Sequence, residues 1–340
     1  MSKPIINYII LFGLLLLGIV LSLSLGSVTI PVEDIFKSLL GLPVQNETWE
    51  YIIVNFRFPK TLTAVLIGSG LAVSGLLMQT LFRNPLAGPY VLGLSSGASL
   101  GVAVLIMGAG LISGVLGELM FSKWSIILAA SGGSILVMLA VLSTAQRVKD
   151  TMTLLIIGLM VASLTSAIVS VLAYFSSSEN LQLYIFWSFG SLGNLSWEEV
   201  GILFICWLVG MSFAVTCLKN LNALLLGENY ARSMGINLKT NRLLIIISTS
   251  VLAGSATAFA GPIAFIGLAV PHLVRQLILT KDHRILLPTI IIGGAILMLF
   301  CDIISQLPGH ENTLPINAVT SIFGAPVVIW LLLRKRKLNF

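Results

Sequence analysis

The sequence predicts an all-α polytopic membrane protein with about ten transmembrane helices. Of its 340 residues, 57% are hydrophobic and only 9% are charged, and the mean hydropathy is +1.03. Soluble domains carry roughly 25% charged residues, so most of this protein's surface is expected to face lipid. A helix needs about 20 apolar residues to cross a bilayer, and runs of this length recur along the chain.

The first apolar run follows Lys3 and is long for a cleaved signal peptide, so we interpret it as a retained span. The third run is rich in Gly and Pro, and the eighth is short. The predicted spans are residues 5–26, 61–82, 91–111, 124–144, 152–175, 199–218, 241–260, 264–280, 285–305 and 317–333.

The uneven distribution of Lys and Arg indicates the topology. If both termini are cytoplasmic, 15 of the 19 Lys and Arg residues lie in cytoplasmic segments, as the positive-inside rule requires. The net charge of +6 is therefore interpreted as a topology signal beside anionic lipid, without a need for nucleic acid. The outer set is Lys37, Arg57, Lys60 and Lys123. The cytoplasmic set is Lys3, Arg83, Arg147, Lys149, Lys219, Arg232, Lys239, Arg242, Arg275, Lys281, Arg284 and residues 334–337.

Three segments between the predicted spans do not cross the membrane. Residues 27–60 form an outer loop that ends in Arg57-Phe58-Pro59-Lys60. Residues 176–198 contain no Lys or Arg, and their part from about 181 to 193 is predicted to be a short amphipathic helix at the outer surface. Residues 219–242 form the largest inner loop.

This inner loop is predicted to contain two short helices. One would cover Leu221–Leu226 and stop at Gly227. The other would cover Glu228–Met234 and stop at Gly235, a residue that suits the left-handed cap of a helix.

The second of these helices carries both charged and apolar side chains. Glu228 and Arg232 have the i,i+4 spacing and order of a favourable ion pair. Tyr230, Ala231 and Met234 are expected to cluster on one face. Two interpretations stay open, a helical hairpin resting on the bilayer and a docking element for a cytoplasmic partner.

The segment from Arg83 to Gly101 combines a helix break with a closely packed helix. Pro85 and Pro89 forbid a continuous helix through its start. The small residues after them, including Gly97, let another backbone come close. Residues 93–97 also match the G-x-S-x-G pattern of serine hydrolases, but we interpret the serines as small packing residues.

A short internal repeat accompanies this break. Ala87-Gly88-Pro89 is followed by Gly93, and Ala260-Gly261-Pro262 is followed by Gly267. The first break lies on the predicted inner side and the second on the outer side, as an inverted repeat requires.

The chain lacks the motifs of ATPases and metallopeptidases. No Gly-Lys dipeptide occurs, so there is no P-loop, and no His-Glu-x-x-His motif occurs. Cys206, Cys217 and Cys301 have no metal-binding spacing and are interpreted as packing residues. Asp302 is the one charge expected within a span, whereas ion-coupled carriers usually need several. The energy for transport is therefore expected to come from another subunit. Two alternative functions stay open, an ion-coupled carrier and an intramembrane serine hydrolase.

Several motifs together resemble one family. The segment from Asn84 resembles N-P-L-A-x-P-x-x-L-G-x-x-x-G-A-x-x-G, the signature of the iron–siderophore and vitamin B12 (FecCD/BtuC-type) permeases of ABC importers. Its matching residues include Asn84, Pro85, Gly93, Gly97 and Gly101. Other motifs of the family are resembled, in order, by residues 57–60, 187–192, 226–235, 261–268, 271–275, 314–315 and 324–326.

The resemblance implies a type II ABC importer permease, a single transmembrane domain over residues 1–340 in the bacterial cytoplasmic membrane. An identical or similar second permease subunit would complete a dimer around a central pathway. Two cytoplasmic ATPase subunits would bind ATP and Mg²⁺, and an extracellular or periplasmic binding protein would deliver the ligand. The chain itself would not be an enzyme and would bind no cofactor, metal or nucleic acid. Ferric siderophores are the expected cargo, with haem and cobalamin as alternatives.

The resemblance also implies site residues. Arg57 and Lys60 match outer basic positions that face acidic residues of the binding protein in relatives, and Gln306 stands where relatives have a third basic residue. Thr151 and Met152 match the inner gate of the pathway, with a simple helix start as the alternative. The loop at about 219–240 would be the coupling loop that sits in a groove of the ATPase, through Gly227, Glu228, Tyr230, Ala231, Arg232, Met234 and Gly235.

Overall fold

The computed structural model describes residues 3–108, 122–148, 151–310 and 312–333, and the regular structure in these ranges is helical. Lys149 and the basic residues 334–337, which were counted for the topology, lie outside the described residues. The α-helices are α1 Lys3–Ser24, α2 Val32–Leu39, α3 Glu47–Ile52, α4 Phe58–Phe82, α5 Leu94–Gly108, α6 Lys123–Arg147, α7 Thr151–Phe175, α8 Ser178–Ser188, α9 Trp197–Thr216, α10 Leu218–Leu224, α11 Glu228–Ser233, α12 Leu238–Ala260, α13 Ile266–Leu277, α14 His283–Ser305 and α15 Ile316–Leu333.

Each predicted span overlaps one of these helices, which confirms the all-α prediction. Within the described ranges, seven segments are long and apolar enough to cross a membrane, and α5 and α15 are shorter apolar helices. Helix α13 has 12 residues, about 18 Å of helix, and is too short to span alone. The seven segments are Asn7–Ser24, Glu47–Phe82, Lys123–Ala145, Met152–Phe175, Trp197–Thr216, Leu238–Ala260 and His283–Ser305.

The described residues group into two compact units. The first unit contains Ser191–Ile205 and the described parts of residues 1–73 and 263–337. The second unit contains Cys206–Pro262 and the described parts of residues 74–190. The single permease domain implied by the resemblance stays a prediction.

A close approach of α4 and α14 organises the first unit. Gly68 lies against the backbone of Gly294, and a Cβ atom at Gly294 would stand 2.6 Å from the Cβ of Ala72. Because no side chain separates the two backbones, this contact depends on glycine. The same unit contains a buried cluster among α1, α2 and the π-helical turn Ile53–Arg57, formed by Leu23, Ile30, Ile35 and Ile53.

An equally close approach of α5 and α6 organises the second unit. A Cβ atom at Gly97 would stand 2.6 Å from the carbonyl oxygen of Gly133, and one at Gly101 would stand 2.8 Å from the carbonyl carbon of Ala129. Ala98 is buried in the apolar cluster that this contact creates. Gly97 and Gly101 therefore lie where α5 and α6 approach each other most closely.

Both predicted breaks are present as non-helical turns. After α4 the chain turns at Arg83, which has a left-handed φ of 47°. The Asn84 side-chain oxygen accepts a hydrogen bond from the amide of Leu86 at 2.9 Å, which holds the turn before Pro89–Leu92. In the second motif Gly261 has a φ of 75°, and a side chain there would meet the Trp187 carbonyl.

The short helix predicted at about 181–193 is observed as α8, but it is not amphipathic. None of its residues is fully buried, and its apolar side chains surround the helix instead of lining one face. The reason is the run of consecutive apolar residues from Leu183 to Trp187, which cannot fall on one side of a helix with 3.6 residues per turn.

Candidate coupling and docking sites

The inner loop folds into the two predicted short helices, α10 and α11. Gly227 separates them with a φ of 117°, and Gly235 follows α11 with a φ of 81°. Both angles lie in the left-handed region that favours glycine. Glycine therefore defines both ends of α11, as predicted from the sequence.

The exposed part of this loop includes three large apolar side chains. Tyr230 is 52% exposed and Met234 is 60% exposed, and Leu226 is also exposed. Ala231 does not belong to this exposed part, because its exposed fraction is 0%. The prediction that Tyr230, Ala231 and Met234 share one face is thus corrected, since the methyl of Ala231 packs inward and anchors the helix that presents the other two.

The predicted ion pair in the loop is absent. Glu228 and Arg232 both lie in the described part of the chain, and no salt bridge joins them. Arg232 is exposed, whereas Glu228 is half-buried and lines a small cavity shared with Arg83 and Arg242. The sequence spacing therefore does not identify the surroundings of the Glu228 side chain, which faces a cavity formed by distant segments.

Sequence reasoning assigned no functional role to Arg83, which contacts this loop. Its Nη2 atom donates a hydrogen bond to the carbonyl oxygen of Leu224 at 2.8 Å. A Cβ atom at Gly227 would stand 3.4 Å from the same nitrogen. The signature turn after α4 and the turn between α10 and α11 are thereby joined in the second unit.

In the first unit, Arg57, which was predicted to face the binding protein, is buried. It is 8% exposed, and its guanidinium donates hydrogen bonds to the carbonyl oxygens of Leu23 at 2.6 Å and Ser24 at 2.7 Å. It also donates to the carbonyl of Val28. Arg57 therefore caps the end of α1, where helix carbonyls lack partners, and its role in docking stays a prediction.

Lys60 and Gln306 meet at one buried carboxylate. The Lys60 ammonium lies 3.1 Å from Oδ1 of Asp302, and the Gln306 amide donates to Oδ2 of Asp302 at 2.8 Å. The Asp302 side chain is 2% exposed, and the Lys60 side chain is 19% exposed. Asp302, expected to lie within a span, thus has both oxygens occupied.

Two of the predicted docking residues, Arg57 and Gln306, lie close together at Gly26, and Lys60 is linked to Gln306 through Asp302. A Cβ atom at Gly26 would stand 2.9 Å from Nη2 of Arg57 and 3.3 Å from Oε1 of Gln306. The structure therefore brings Arg57, Lys60 and Gln306 into one cluster, although it directs their polar groups inward.

The comparisons with known proteins identify the family. The model of the FecCD transport family matches residues 14–334. This chain belongs to the FecCD transport family.

Two of its relatives are vitamin B12 import system permease proteins named BtuC. The protein from Citrobacter koseri is 36% identical over 326 residues, covering 95% of this chain and 93% of the relative. The protein from Klebsiella pneumoniae is 37% identical over 337 residues, covering 96% and 94%. A solved structure described as an inward-facing ABC transporter of the metal-chelate type has a TM-score of 0.83 and 30% identity. The alignment of the two structures covers 96% of this chain and 99% of the solved one.

As a FecCD protein, this chain is a multi-pass permease subunit of an ABC importer of the FecCD/BtuC type. Subunits of this kind are not enzymes themselves, so membership excludes the serine hydrolase interpretation. The family works with ATPase and substrate-binding partners in general. Its members are bacterial inner-membrane proteins, which agrees with the apolar helices of this chain.

The predicted gate of this FecCD chain lies at the start of α7. Thr151 begins the helix, and its side chain lies outside the described residues. Met152 is exposed and begins a series of exposed apolar residues along a helix that contains no charged residue. The series continues with Ile156, Leu159, Met160, Leu164, Ile168 and Val171.

Proposed function

We propose that this chain is the transmembrane permease of an ATP-driven importer that moves ferric siderophores of the hydroxamate kind into the cytoplasm. One observation carries the ATP-driven mechanism: the chain has no P-loop, yet it presents an exposed apolar edge on a short, glycine-bounded helix. An exposed apolar surface of this kind fits a protein partner, which here would be the cytoplasmic ATPase. Two such subunits would bind ATP and Mg²⁺.

The coupling loop would dock through Tyr230 and Met234. Aromatic residues and methionine are enriched in the cores of protein interfaces, and polar residues such as Arg232 suit the rim. Buried Ala231 would keep α11 seated on the permease while its exposed side enters the ATPase groove. Closure of the ATPase dimer on ATP would then move the loop.

The Arg57, Lys60 and Gln306 cluster marks the end of the first unit where the binding protein would dock. With Arg57 engaged by backbone carbonyls, Lys60 is the remaining partly exposed cation of this set. Its charge is already balanced by Asp302. Docking would therefore depend less on charge pairs than the basic motif alone suggests, since a neutralised cation steers a partner weakly.

The exposed apolar side of α7 suits a pathway wall next to a second permease subunit. A surface with no charged groups has no strong attachment point for a ligand, so a bulky chelate could pass without being trapped. Met152 and Thr151 would narrow this pathway at its cytoplasmic end. Both an identical and a similar second subunit are compatible with this arrangement.

Cobalamin is the second candidate cargo, because the relatives from Citrobacter koseri and Klebsiella pneumoniae are named as vitamin B12 permeases. The metal-chelate transporter supports a chelated metal as the wider class. Both ligands are large organic molecules that surround a metal ion, so the same apolar wall suits either. Haem, also considered from the sequence, belongs to the same class.

Transport into proteoliposomes tests the proposal. The permease is reconstituted with its ATPase and binding protein, and the uptake of a radiolabelled ferric hydroxamate, cobalamin and haem is measured with and without ATP. We expect ATP-dependent uptake of the ferric hydroxamate. Uptake of cobalamin without uptake of the ferric hydroxamate would show that cobalamin, and not a siderophore, is the cargo. Uptake driven by an ion gradient without the ATPase would contradict the ATP-driven mechanism.

The coupling face gives a prediction of its own. Met234→Asp is expected to reduce ATP-driven uptake by at least about tenfold, because it places a charge in the apolar core of the interface. Asn229→Asp adds the same charge to an exposed position of α11 with almost no change of shape, and we expect uptake close to wild type. Equal uptake by the two variants would show that Met234 does not enter the ATPase.

A further inference from the structure

Arg83 holds the coupling loop from an unusual backbone position. It follows the last residue of α4, and its amide bonds to the carbonyl of Thr80 at 3.3 Å. Its φ of 47° lies in the left-handed region, where glycine is favoured and a larger residue costs about 1 kcal/mol or more. A residue in a strained backbone conformation persists only where surrounding contacts stabilise it. The contacts of the Arg83 side chain are therefore of interest.

The side chain of Arg83 reaches the joint between the two short helices. The carbonyl oxygen of Leu224 accepts one hydrogen bond from the amide of Gly227 at 3.1 Å and a second from Arg83 at 2.8 Å. The first bond closes the turn, and the second fastens the turn to the end of α4. A charged donor makes this second bond stronger than a neutral one.

Buried apolar side chains, among them Leu221 and Ala231, hold part of this joint. A small cavity lies beside it, lined by residues including Arg83, Leu224, Glu228, Asn241 and Arg242. Helices as short as α10 and α11 are marginal without external contacts. The hydrogen bond from Arg83 therefore adds a polar attachment to the end of α4 beside the apolar contacts of the loop.

We propose that Arg83 is a positioning residue for energy coupling. Its guanidinium holds the turn between α10 and α11 against the signature turn, so that a movement of the loop is passed to α4 and not lost in local bending. The inference rests on the proposed docking of the loop to an ATPase. The inference goes beyond the proposed docking because Arg83 lies outside the docking surface and would act on coupling through the loop.

The test measures ATP hydrolysis and uptake in the same proteoliposomes, which contain the whole complex and either a ferric hydroxamate or cobalamin. For Arg83→Ala we expect uptake per ATP hydrolysed to fall about tenfold, the loss that corresponds to one charged hydrogen bond. Hydrolysis itself is expected to continue. Arg83→Lys keeps a charged donor and is expected to recover part of the uptake.

Arg147→Ala is the matched control, because Arg147 is an exposed arginine in the last turn of α6. We expect its uptake per ATP to equal that of the wild type. The same ratio in Arg83→Ala and Arg147→Ala would overturn the role of Arg83 alone. Absence of ATP-driven uptake in the wild type would instead overturn the proposed function and the coupling role with it.

Hydrogen exchange gives a second measurement that needs no transport. In the purified full-length permease, amides of the segment 218–235 are expected to exchange about tenfold faster in Arg83→Ala than in the wild type, with other helices unchanged. A loop that exchanges at the wild-type rate without Arg83 would overturn the inference even if uptake falls.

Discussion

Gly101→Leu is expected to abolish assembly of the permease in the membrane. A Cβ atom at this position already lies 2.8 Å from the carbonyl carbon of Ala129 and 3.3 Å from the amide nitrogen of Gly133. Neither neighbour is a flexible side chain, so α5 and α6 would have to move apart. Overpacking a core costs about 1–3 kcal/mol even when side chains can adjust, and here they cannot. The measurement is the yield of folded protein in membranes and its thermal stability in detergent.

Gly132→Leu provides the control for this experiment. Gly132 lies on α6, one residue before Gly133, and a Cβ atom there meets no atom within 4 Å. The same substitution is therefore expected to leave assembly and uptake near wild type. If Gly101→Leu assembled and transported as well as Gly132→Leu, the account of the signature segment as a packing element would be wrong.

Asp302→Ala is expected to destabilise the first unit by about 3 kcal/mol or more. The substitution leaves the Lys60 ammonium in a largely buried position without its carboxylate, and it removes the acceptor of the Gln306 amide. Removing one partner of a buried pair costs more than the pair itself contributes, because the remaining charge stays desolvated. Thermal unfolding of the purified permease in detergent measures the effect.

The double variant Lys60→Met/Asp302→Leu separates the loss of the ion pair from the cost of leaving one buried charge without a partner. It removes both charges and keeps apolar volume, so we expect it to be much more stable than Asp302→Ala. Lys37→Ala is the exposed control, since Lys37 lies 2.6 Å from Glu33 on α2 and solvent weakens an ion pair at the surface. There the hydrogen bond and charge of Lys37 lower the pKa of the Glu33 carboxyl. A melting temperature for Asp302→Ala equal to that of Lys37→Ala would contradict the importance of the buried pair.

The parts that sequence reasoning predicted correctly are those encoded by neighbouring residues. The spans follow from apolar runs, and the ends of α11 follow from Gly227 and Gly235, whose backbone angles only glycine adopts easily. The helix break after Arg83 follows from two prolines. In each case the physical cause lies within a few residues, so no knowledge of distant contacts was needed.

The site residues were predicted less completely, because their environments depend on distant segments. The carbonyl that Arg83 contacts is 141 residues away, and the carbonyls that accept from Arg57 are 29 to 34 residues away. A basic residue in a loop is usually solvated. Nothing in the residues next to Arg57 in the sequence indicates that its side chain is buried. In the sequence, Arg83 is marked only by its place directly before Asn84-Pro85, and its left-handed φ is known from the structure.

By itself, the sequence determined the class of this protein: a helical membrane permease without its own P-loop, with a glycine-bounded loop suited to a partner. Only the tertiary structure decided which polar groups are available. It turned Arg57 inward to cap α1, paired Lys60 with Asp302, buried Ala231 beneath Tyr230 and Met234, and fastened the loop with Arg83. The physical reason is that hydrophobicity and backbone preference are properties of a segment, whereas the partner of a charge is set by chain folding.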